Sequence, residues 1–301
     1  MTGAAQSKRR ETDAAAPLAP GLYLAATPIG AADDVTLRAL DALARADVVA
    51  AEDTRRAAKL MSIHGVARAG RPIIPYHDHN GAAQRPALLA RLEAGESIVC
   101  VTDAGTPLVA DPGWKLARAA IERGLPVHAL PGASALLAAL MVAGLPTNRF
   151  LFAGFPPPKS AARRADLRSL AATPATLVFY ESPRRLGPAL ADMAEILGGE
   201  REAAVSRELT KLHEETRRGT LAELAAAYAD ITPKGEVVVC VGPPLERAPD
   251  EADMDEALRK ALGEMRTKDA AKEVAEAFGA PRREVYARAL EIARESDEAL
   301  D

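Results

Sequence analysis

The sequence predicts an α/β fold of two domains with a small helical appendage at the C-terminus. Three features carry that reading. Short apolar runs alternate with helical patterns through the first half, and each run ends in small, polar and turn-forming residues. A second α/β stretch with more antiparallel character follows a break at Gly144-Leu-Pro-Thr-Asn148. Beyond a Pro- and charge-rich linker, residues 242–253, three helical stretches close the chain. A chain of 301 residues suits two or three domains at about 100–200 residues each. The expected boundaries are a disordered tail over residues 1–20, a first α/β domain over 21–145, a second over 146–242 and a helical domain over 254–301.

The elements follow in order. Gly21 to Ala26 reads as a strand, with Thr27-Pro-Ile-Gly30 as its carboxyl-end turn, and Asp33, Asp34 and Thr36 offer N-cap chemistry for a helix through Ala46. Asp47 to Ala51 is a strand ending in Glu52-Asp-Thr-Arg-Arg56. A short strand around Ile73 and Ile74 runs into Tyr76-His-Asp-His-Asn80, and a helix from about Ala83 to Glu93 leads to the strand Ile98 to Val101. Thr102, Asp103, Gly105, Thr106, Pro107, Asp111, Pro112 and Gly113 follow it, with Asp111 read as the cap of the next helix. Strand Val127 to Leu130 then meets Pro131-Gly-Ala-Ser134 at the head of a very apolar helix. Alternating β and α with polar clusters at the strand ends implies a mainly parallel sheet covered on both faces.

In the second half, strands are expected at Phe150–Phe155, Thr176–Tyr180, Ala203–Ser206, Thr216–Gly219 and Val237–Val241, and helices at Lys159–Leu170, before Gly198 and at Leu221–Ala229. The closing helices are Met254–Glu264, Thr267–Phe278 and Pro281–Ser296, the last two joined by Gly279-Ala280. That arrangement resembles a helix-turn-helix, or else is a helical packing or dimerisation appendage.

Composition narrows the function. The apolar share is 48% but aromatics are only 4%, so small-residue packing is expected. A net charge of −4 argues against coating nucleic acid through bulk charge, while leaving room for a local basic patch. Cys100 and Cys240 lie in apolar runs and read as buried free thiols rather than a disulfide framework or zinc site. No apolar segment approaches the roughly 18 residues of a membrane span, and Lys8, Arg9 and Arg10 have no hydrophobic stretch behind them, so a cytoplasmic protein is expected.

The P-loop, dinucleotide-binding and Ser-hydrolase signatures are absent. His77-Asp78-His79 lacks a partner set for a metal, and strand alternation would put the two histidines on opposite sides; phosphate, RNA or structural hydrogen bonding suits the segment better. Four strand-end clusters remain, at Thr27–Gly30, Glu52–Arg55, Thr102–Thr106 and Pro131–Ser134, and in a parallel sheet they converge on one edge and make one cleft.

These segments carry a resemblance. Ala26-Thr-Pro-Ile-Gly30, Ala51-Glu-Asp-Thr-Arg55, His77-Asp-His-Asn80, Thr102-Asp-Ala-Gly-Thr-Pro107 with Asp111-Pro-Gly113, Leu130-Pro-Gly132, Ala143-Gly-Leu-Pro146, Phe179-Tyr-Glu-Ser182, Arg207-Glu-Leu-Thr-Lys211 and Lys234-Gly-Glu236 form an ordered series. The series resembles the ribosomal RNA small subunit methyltransferase I family of the tetrapyrrole methylase superfamily. Ala31-Ala32 stands where that family usually has Asn-Leu, and Gly81 where it often has an acid.

The resemblance implies a two-domain, tetrapyrrole-methylase-like α/β fold with a helical appendage. It also implies S-adenosylmethionine held between the domains, methylation of the ribose 2′-hydroxyl of a cytidine in the decoding region of 16S rRNA, and a homodimer. By the same resemblance the cofactor contacts fall at Pro28, Asp103, Ala104, Thr106, Ala133 and Ser134, with Phe155, Gly235 and Glu236 from the second domain. A sulfonium already carries an activated methyl, so no metal is required, and a positioned acceptor should take the hydroxyl proton. Candidates are Asp103, Glu181 and Glu208, with Lys211 as an electrostatic partner; Glu208 and Lys211 equally suit an i, i+3 structural ion pair. Arg55 and Arg56 either contact phosphate or cap a helix. Lys159, Arg163, Arg164 and Arg168 form the best phosphate-contacting face, with an ordinary solvated face as the alternative. A small-molecule methylase of the same fold would need neither the basic helix nor the helical tail. A non-enzymatic RNA-binding module would need no cofactor cleft.

Overall fold

Two strands buried along their whole length set the architecture. Every residue of β2 (Val48–Ala51) and β4 (Ser97–Val101) is buried, as expected of strands inside a parallel sheet with helices on both sides. In the computed structural model, which describes residues 17–109, 113–245 and 251–298, they belong to a five-stranded parallel sheet of order β3-β2-β4-β1-β5, completed by β1 (Gly21–Ala25), β3 (Ile73–Pro75) and β5 (Val127–Leu130).

The two-residue alternation of the strands sorts the core. Tyr23, Ala25, Val49 and Val99 face α1 (Leu37–Arg45) and α2 (Thr54–Ile63) through Leu43, Ala57 and Met61. Leu22, Val48, Ala50 and Ile98 face α3 (Gly81–Glu93) and α4 (Trp114–Glu122) through Leu88, Leu92 and Leu116. Helix α2 was expected only as a helix that Arg55 and Arg56 would cap, with no bounds. Its cap is Asp53, whose side chain accepts from the Arg55 amide at 2.8 Å, so Arg55 and Arg56 occupy its first turn rather than capping it.

Register makes the sheet edge into a site. Val101 pairs with both Ala25 and Ala51, and Ala25 with Leu130, so the loops after β1, β2, β4 and β5 leave the sheet at one level.

The second sheet has the order β6-β7-β10-β8-β9, with β6 (Phe150–Gly154), β7 (Thr176–Glu181), β8 (Glu202–Arg207), β9 (Glu215–Thr220) and β10 (Val237–Val241). Only β6–β7 is parallel, in keeping with the antiparallel character expected. One face packs on α6 (Ser160–Leu170), α7 (Leu186–Leu197) and α8 (Leu221–Ala227). The other receives α5 (Ala135–Ala143) through Leu136, Ala139, Leu140 and Ala143, together with Ile29 from the loop after β1. The apolar helix that follows β5 in the chain therefore packs on the second sheet, and both sheets fall within one compact unit ending at Pro244.

The second unit begins at Leu245. Its α9 (Glu251–Leu262), α10 (Thr267–Phe278) and α11 (Arg282–Glu298) share a core of Leu258, Ala271, Val274, Val285, Ala289 and Ile292. Arg288 clamps it by donating to both Asp255 oxygens, at 2.8 and 2.5 Å. The tail over residues 1–16, the expected cap Asp111 and linker residues 246–250 lie outside the described residues.

Candidate active site

Four loops of the first sheet are stitched together by hydrogen bonds that the strand register makes possible. Thr27 and Gly105 exchange backbone bonds, N···O 2.9 and 3.0 Å, and the Thr27 hydroxyl donates to the Thr102 carbonyl at 3.2 Å. The Thr106 hydroxyl donates to the Ala133 carbonyl at 3.0 Å. The ends of β2 and β4 are tied reciprocally. The Asp53 amide donates to Asp103 at 3.0 Å and the Asp103 amide to Glu52 at 3.1 Å, while Arg56 lies 3.5 Å from the Asp103 carboxylate. The Asp103 carboxylate thus organises the loop as well as lining it.

Opposite stand the end of β7 and the start of β10. Their antiparallel register sets Val238 beside Tyr180 and Val237 beside Glu181. The Tyr180 hydroxyl accepts from the Leu136 amide at 3.2 Å, and its ring meets Phe152 and Phe155 edge-on, centroids 4.8 and 5.5 Å apart. Burial raises the Tyr180 pKa, keeping it a neutral phenol.

Between these walls lies a cleft of about 530 Å³, a volume typical of sites for small ligands. It is lined by Ile29, Glu52, Arg56, Thr102 to Thr106, Val109, Ser134, Ala135, Phe155, Tyr180 to Pro183 and Gly235 to Val238. Seven of the expected cofactor residues therefore share it: Asp103, Ala104, Thr106, Ser134, Phe155, Gly235 and Glu236. Ser134 occupies the N-cap position of α5, yet its side chain makes no capping hydrogen bond among the described residues. Pro28 and Ala133 are not on the lining, and Ala133 instead supports Thr106 through its carbonyl.

Glu181 is the carboxylate most deeply set in the cleft, its side chain 0% exposed. Its Oε1 accepts from the Ser182 amide at 2.6 Å and lies 2.6 Å from the Arg185 guanidinium in an ion pair. Its buried Oε2 has no hydrogen-bond partner among the described residues.

Glu208 and Lys211 form an ion pair, and neither is among the residues lining the cleft. Lys211 Nζ lies 2.7 Å from Glu208 and 2.8 Å from Glu236, and Glu208 also accepts from the Glu236 amide at 3.1 Å. The bond from Lys211 pulls the Glu208 pKa below its ordinary value, which makes it a poorer base. Burial works against the charge on Lys211, but its two carboxylate partners outweigh it and raise its pKa. The loop they hold is strained, with φ of 51° at Glu208 and 62° at Thr210. It also packs closely on the first sheet: a Cβ on Gly30 would lie 2.6 Å from both Lys211 Cγ and Thr210 Oγ1.

The basic face on α6 is corrected in part. Arg163 is 3% exposed and pairs with Asp192 at 2.6 Å, while donating to backbone carbonyls nearby. Arg164 lies 2.7 Å from Asp192 and also pairs with Glu195. The carboxylates of α7 therefore neutralise these two arginines, which hold α6 to α7 and leave Arg163 no surface for phosphate. Lys159 and Arg168 remain exposed. Arg55 is exposed and bound to Asp53, and Arg56 stands on the cleft. His77 and His79 do not alternate, because the segment turns after β3; their rings meet edge-on with centroids 6.0 Å apart. Among the described residues no three His, Cys, Asp or Glu side chains cluster as metal ligands, and no helix is long and apolar enough to cross a membrane. Ile29 and Glu52 come from two of the strand-end clusters expected to make the cleft, whereas Tyr180, although it lies in the Phe179–Ser182 motif, was not among the expected site residues.

A parallel five-stranded sheet whose strand-end loops face a mixed sheet across one cleft is the architecture of the tetrapyrrole methylases. The family model described as Tetrapyrrole (Corrin/Porphyrin) Methylases matches residues 21–225, and the one described as RsmI C-terminal HTH domain matches residues 248–293. Among solved structures, uroporphyrin-III-C-methyltransferase from Thermus thermophilus is similar with TM-score 0.53 and 23% identity, over 74% of this chain and 94% of that one. A cobalt precorrin-4 methyltransferase is similar with TM-score 0.55 and 18% identity, over 73% and 94%. The chain is 50% identical over 285 residues to the ribosomal RNA small subunit methyltransferase I of Mesorhizobium japonicum, covering 94% of this chain and 96% of the relative. It is 43% identical over 275 residues to that of Synechocystis sp., covering 90% and 98%. The chain belongs to the ribosomal RNA small subunit methyltransferase I family, within the tetrapyrrole methylases.

Proposed function

We propose that the protein uses S-adenosylmethionine to methylate the ribose 2′-hydroxyl of a cytidine in the decoding region of 16S rRNA, as a cytoplasmic homodimer. The observation that carries this reading is the cleft between the two sheets, in a chain that is alike to relatives of that name over nearly its full length. The cleft's donor set fits the cofactor. Hydroxyls of Thr102, Thr106 and Ser134 and the acids Asp103 and Glu52 suit a ribose and an ammonium group, and Phe155, Tyr180, Ile29 and Val238 suit an adenine ring. When bound, S-adenosylmethionine supplies a methyl group on a positively charged sulfur.

The chain's own residues then have three tasks. Tyr180, clamped by Phe152, Phe155 and the Leu136 amide, keeps the apolar wall of the cleft rigid. Glu181 is held by Arg185 and the Ser182 amide with its buried Oε2 unpartnered, and a turn of the side chain toward the cleft would let that oxygen accept the hydrogen bond of the ribose hydroxyl and then its proton. The pair Glu208–Lys211 fixes the Gly235–Glu236 turn and acts through position alone. Holding the two reactants in line supplies a barrier reduction of order several kcal/mol.

Arg56 at the cleft and the exposed Lys159 and Arg168 supply RNA contacts. Exposed Leu137, Met141, Phe150 and Leu151 support a second copy as the homodimer partner, since such apolar side chains are costly in water. Primer extension at limiting dNTP on rRNA from a strain deleted for its own family member tests the reading. The expected result is a 2′-O-methyl stop that is lost on deletion and restored by this chain; no restoration would contradict it.

A further inference from the structure

A second, smaller cavity lies at the edge of the first sheet, outside the cleft. It holds about 50 Å³, room for a group of a few heavy atoms, since one water needs roughly 10–15 Å³ on this measure. Tyr76, His77, Asp78, Arg85 and Lys115 line it. Two buried nitrogens on that lining, Arg85 Nε and His77 Nδ1, have no hydrogen-bond partner among the described residues. An arginine Nε always carries a hydrogen, so Arg85 is a donor awaiting an acceptor, and a proton on His77 Nδ1 would make it a second. Lys115 adds an exposed cation, while the one acid on the lining, Asp78, is also exposed. Such a set suits an anion with several acceptor oxygens.

The surroundings narrow the anion further. Trp114, the only tryptophan of the chain, is 54% exposed, and the Lys115 ammonium sits 5.9 Å from its ring centre. A charge-binding notch beside an exposed aromatic plane is the pairing that single-stranded nucleic acid uses, phosphate in one and base on the other. The cavity follows β3, two strands from β4 in a parallel sheet, so it opens about 10 Å along the same carboxyl edge from the Asp103 loop.

We infer that Arg85, His77 and Lys115 form a subsite for a backbone phosphodiester of the RNA strand entering the cleft, with Trp114 stacking on an adjacent base. This rests on the RNA-methylating reading above and adds the place where the strand is gripped away from the reacting ribose.

The test titrates a single-stranded rRNA fragment, and separately inorganic phosphate, into the full chain and into Lys115→Ala and Arg85→Gln, following the Trp114 fluorescence. S-adenosylmethionine binding, measured by calorimetry, serves as the control for folding. Expected for the wild type is quenching by RNA, with quenching by phosphate weak. Each variant should bind RNA about tenfold more weakly, with a log-affinity against log-salt slope smaller by about 0.7, and S-adenosylmethionine unchanged. Wild-type affinity and slope in both variants would overturn the subsite while leaving the methylation reading intact. Strong phosphate binding that the variants lose, with RNA binding unchanged, would overturn it in favour of a free-anion site. Absence of RNA binding by the wild type would remove the reading on which the subsite rests.

Discussion

Glu208 occupies the space that any side chain on Gly235 would need: a Cβ there would lie 2.1 Å from both Cδ and Oε1 of Glu208. Gly235 also holds φ at +93°, a conformation that side chains resist. Two loops of the second sheet therefore interlock through a glycine and a glutamate, and the turn carrying Gly235 and Glu236 is itself a wall of the cleft. Gly235→Ala should destabilise by at least about 1–3 kcal/mol from the backbone alone and weaken S-adenosylmethionine binding. Adding Glu208→Ala should recover part of the loss, because it removes the clash but not the strain. Thermal unfolding and calorimetry on the two variants check this; a fully stable Gly235→Ala protein would refute the interlock.

The ion pair behind that turn fixes a pH window. Glu208 has a lowered pKa, so its stabilisation is complete above the ordinary carboxylate value, about 4.3, and is lost as pH falls through the depressed folded value. Lys211 has a raised pKa, so its contribution is complete below about 10.4 and is lost as pH rises through the higher folded value. The difference in Tm between wild type and Glu208→Gln should stay constant from about pH 5.5 to pH 9.5 and shrink outside that range. A difference that changes near pH 7 would mean that this pair does not titrate as the geometry requires.

Arg163 and Arg168 lie on one helix and should behave oppositely. Removing Arg163 leaves Asp192 buried with its pairing reduced, at a cost of about 3–5 kcal/mol. Arg168→Ala should stay within about 0.5 kcal/mol of wild type and weaken RNA binding instead. Denaturant unfolding together with RNA affinity separates the two.

Glu181→Gln keeps an oxygen for the Ser182 amide but removes the carboxylate at this position. The expected outcome is S-adenosylmethionine affinity within a few-fold of wild type and a rate of methyl transfer lower by about 10²–10⁴. A single-turnover assay at saturating cofactor measures it. An unchanged rate would take the proton-accepting role from Glu181 and point to another group on the lining.

The first sheet and its convergent loops were legible because the signals are local: an apolar run, then a small polar cluster, repeated along the chain. The bounds of helix α2 were not, since its sequence is charged and it buries only Ala57 and Met61. Arg163 looked like a surface cation because its neighbours in the chain are exposed; the carboxylate that neutralises it is 29 residues away on α7. Tyr180 and Glu181 end a strand whose partner, β10, begins only at Val237, so only the antiparallel register shows them beside Gly235 and Val238 on one cleft. In the same way, the positive φ at Glu208 and Thr210 has no marker in residue type. The His77–Asn80 motif was recognisable as polar, but its turn, the unpaired Nδ1 and the nearby Arg85 and Lys115 are properties of packing.

The methylation itself is tested by incubating the purified chain with methyl-labelled S-adenosylmethionine and small ribosomal subunits from a strain lacking the family's enzyme, then digesting the rRNA to nucleosides for mass spectrometry. Expected is about one labelled 2′-O-methylcytidine per 16S rRNA, mapped to the decoding region and formed more slowly by Gly235→Ala. Label on a base, on protein, or nowhere in the subunit would contradict it.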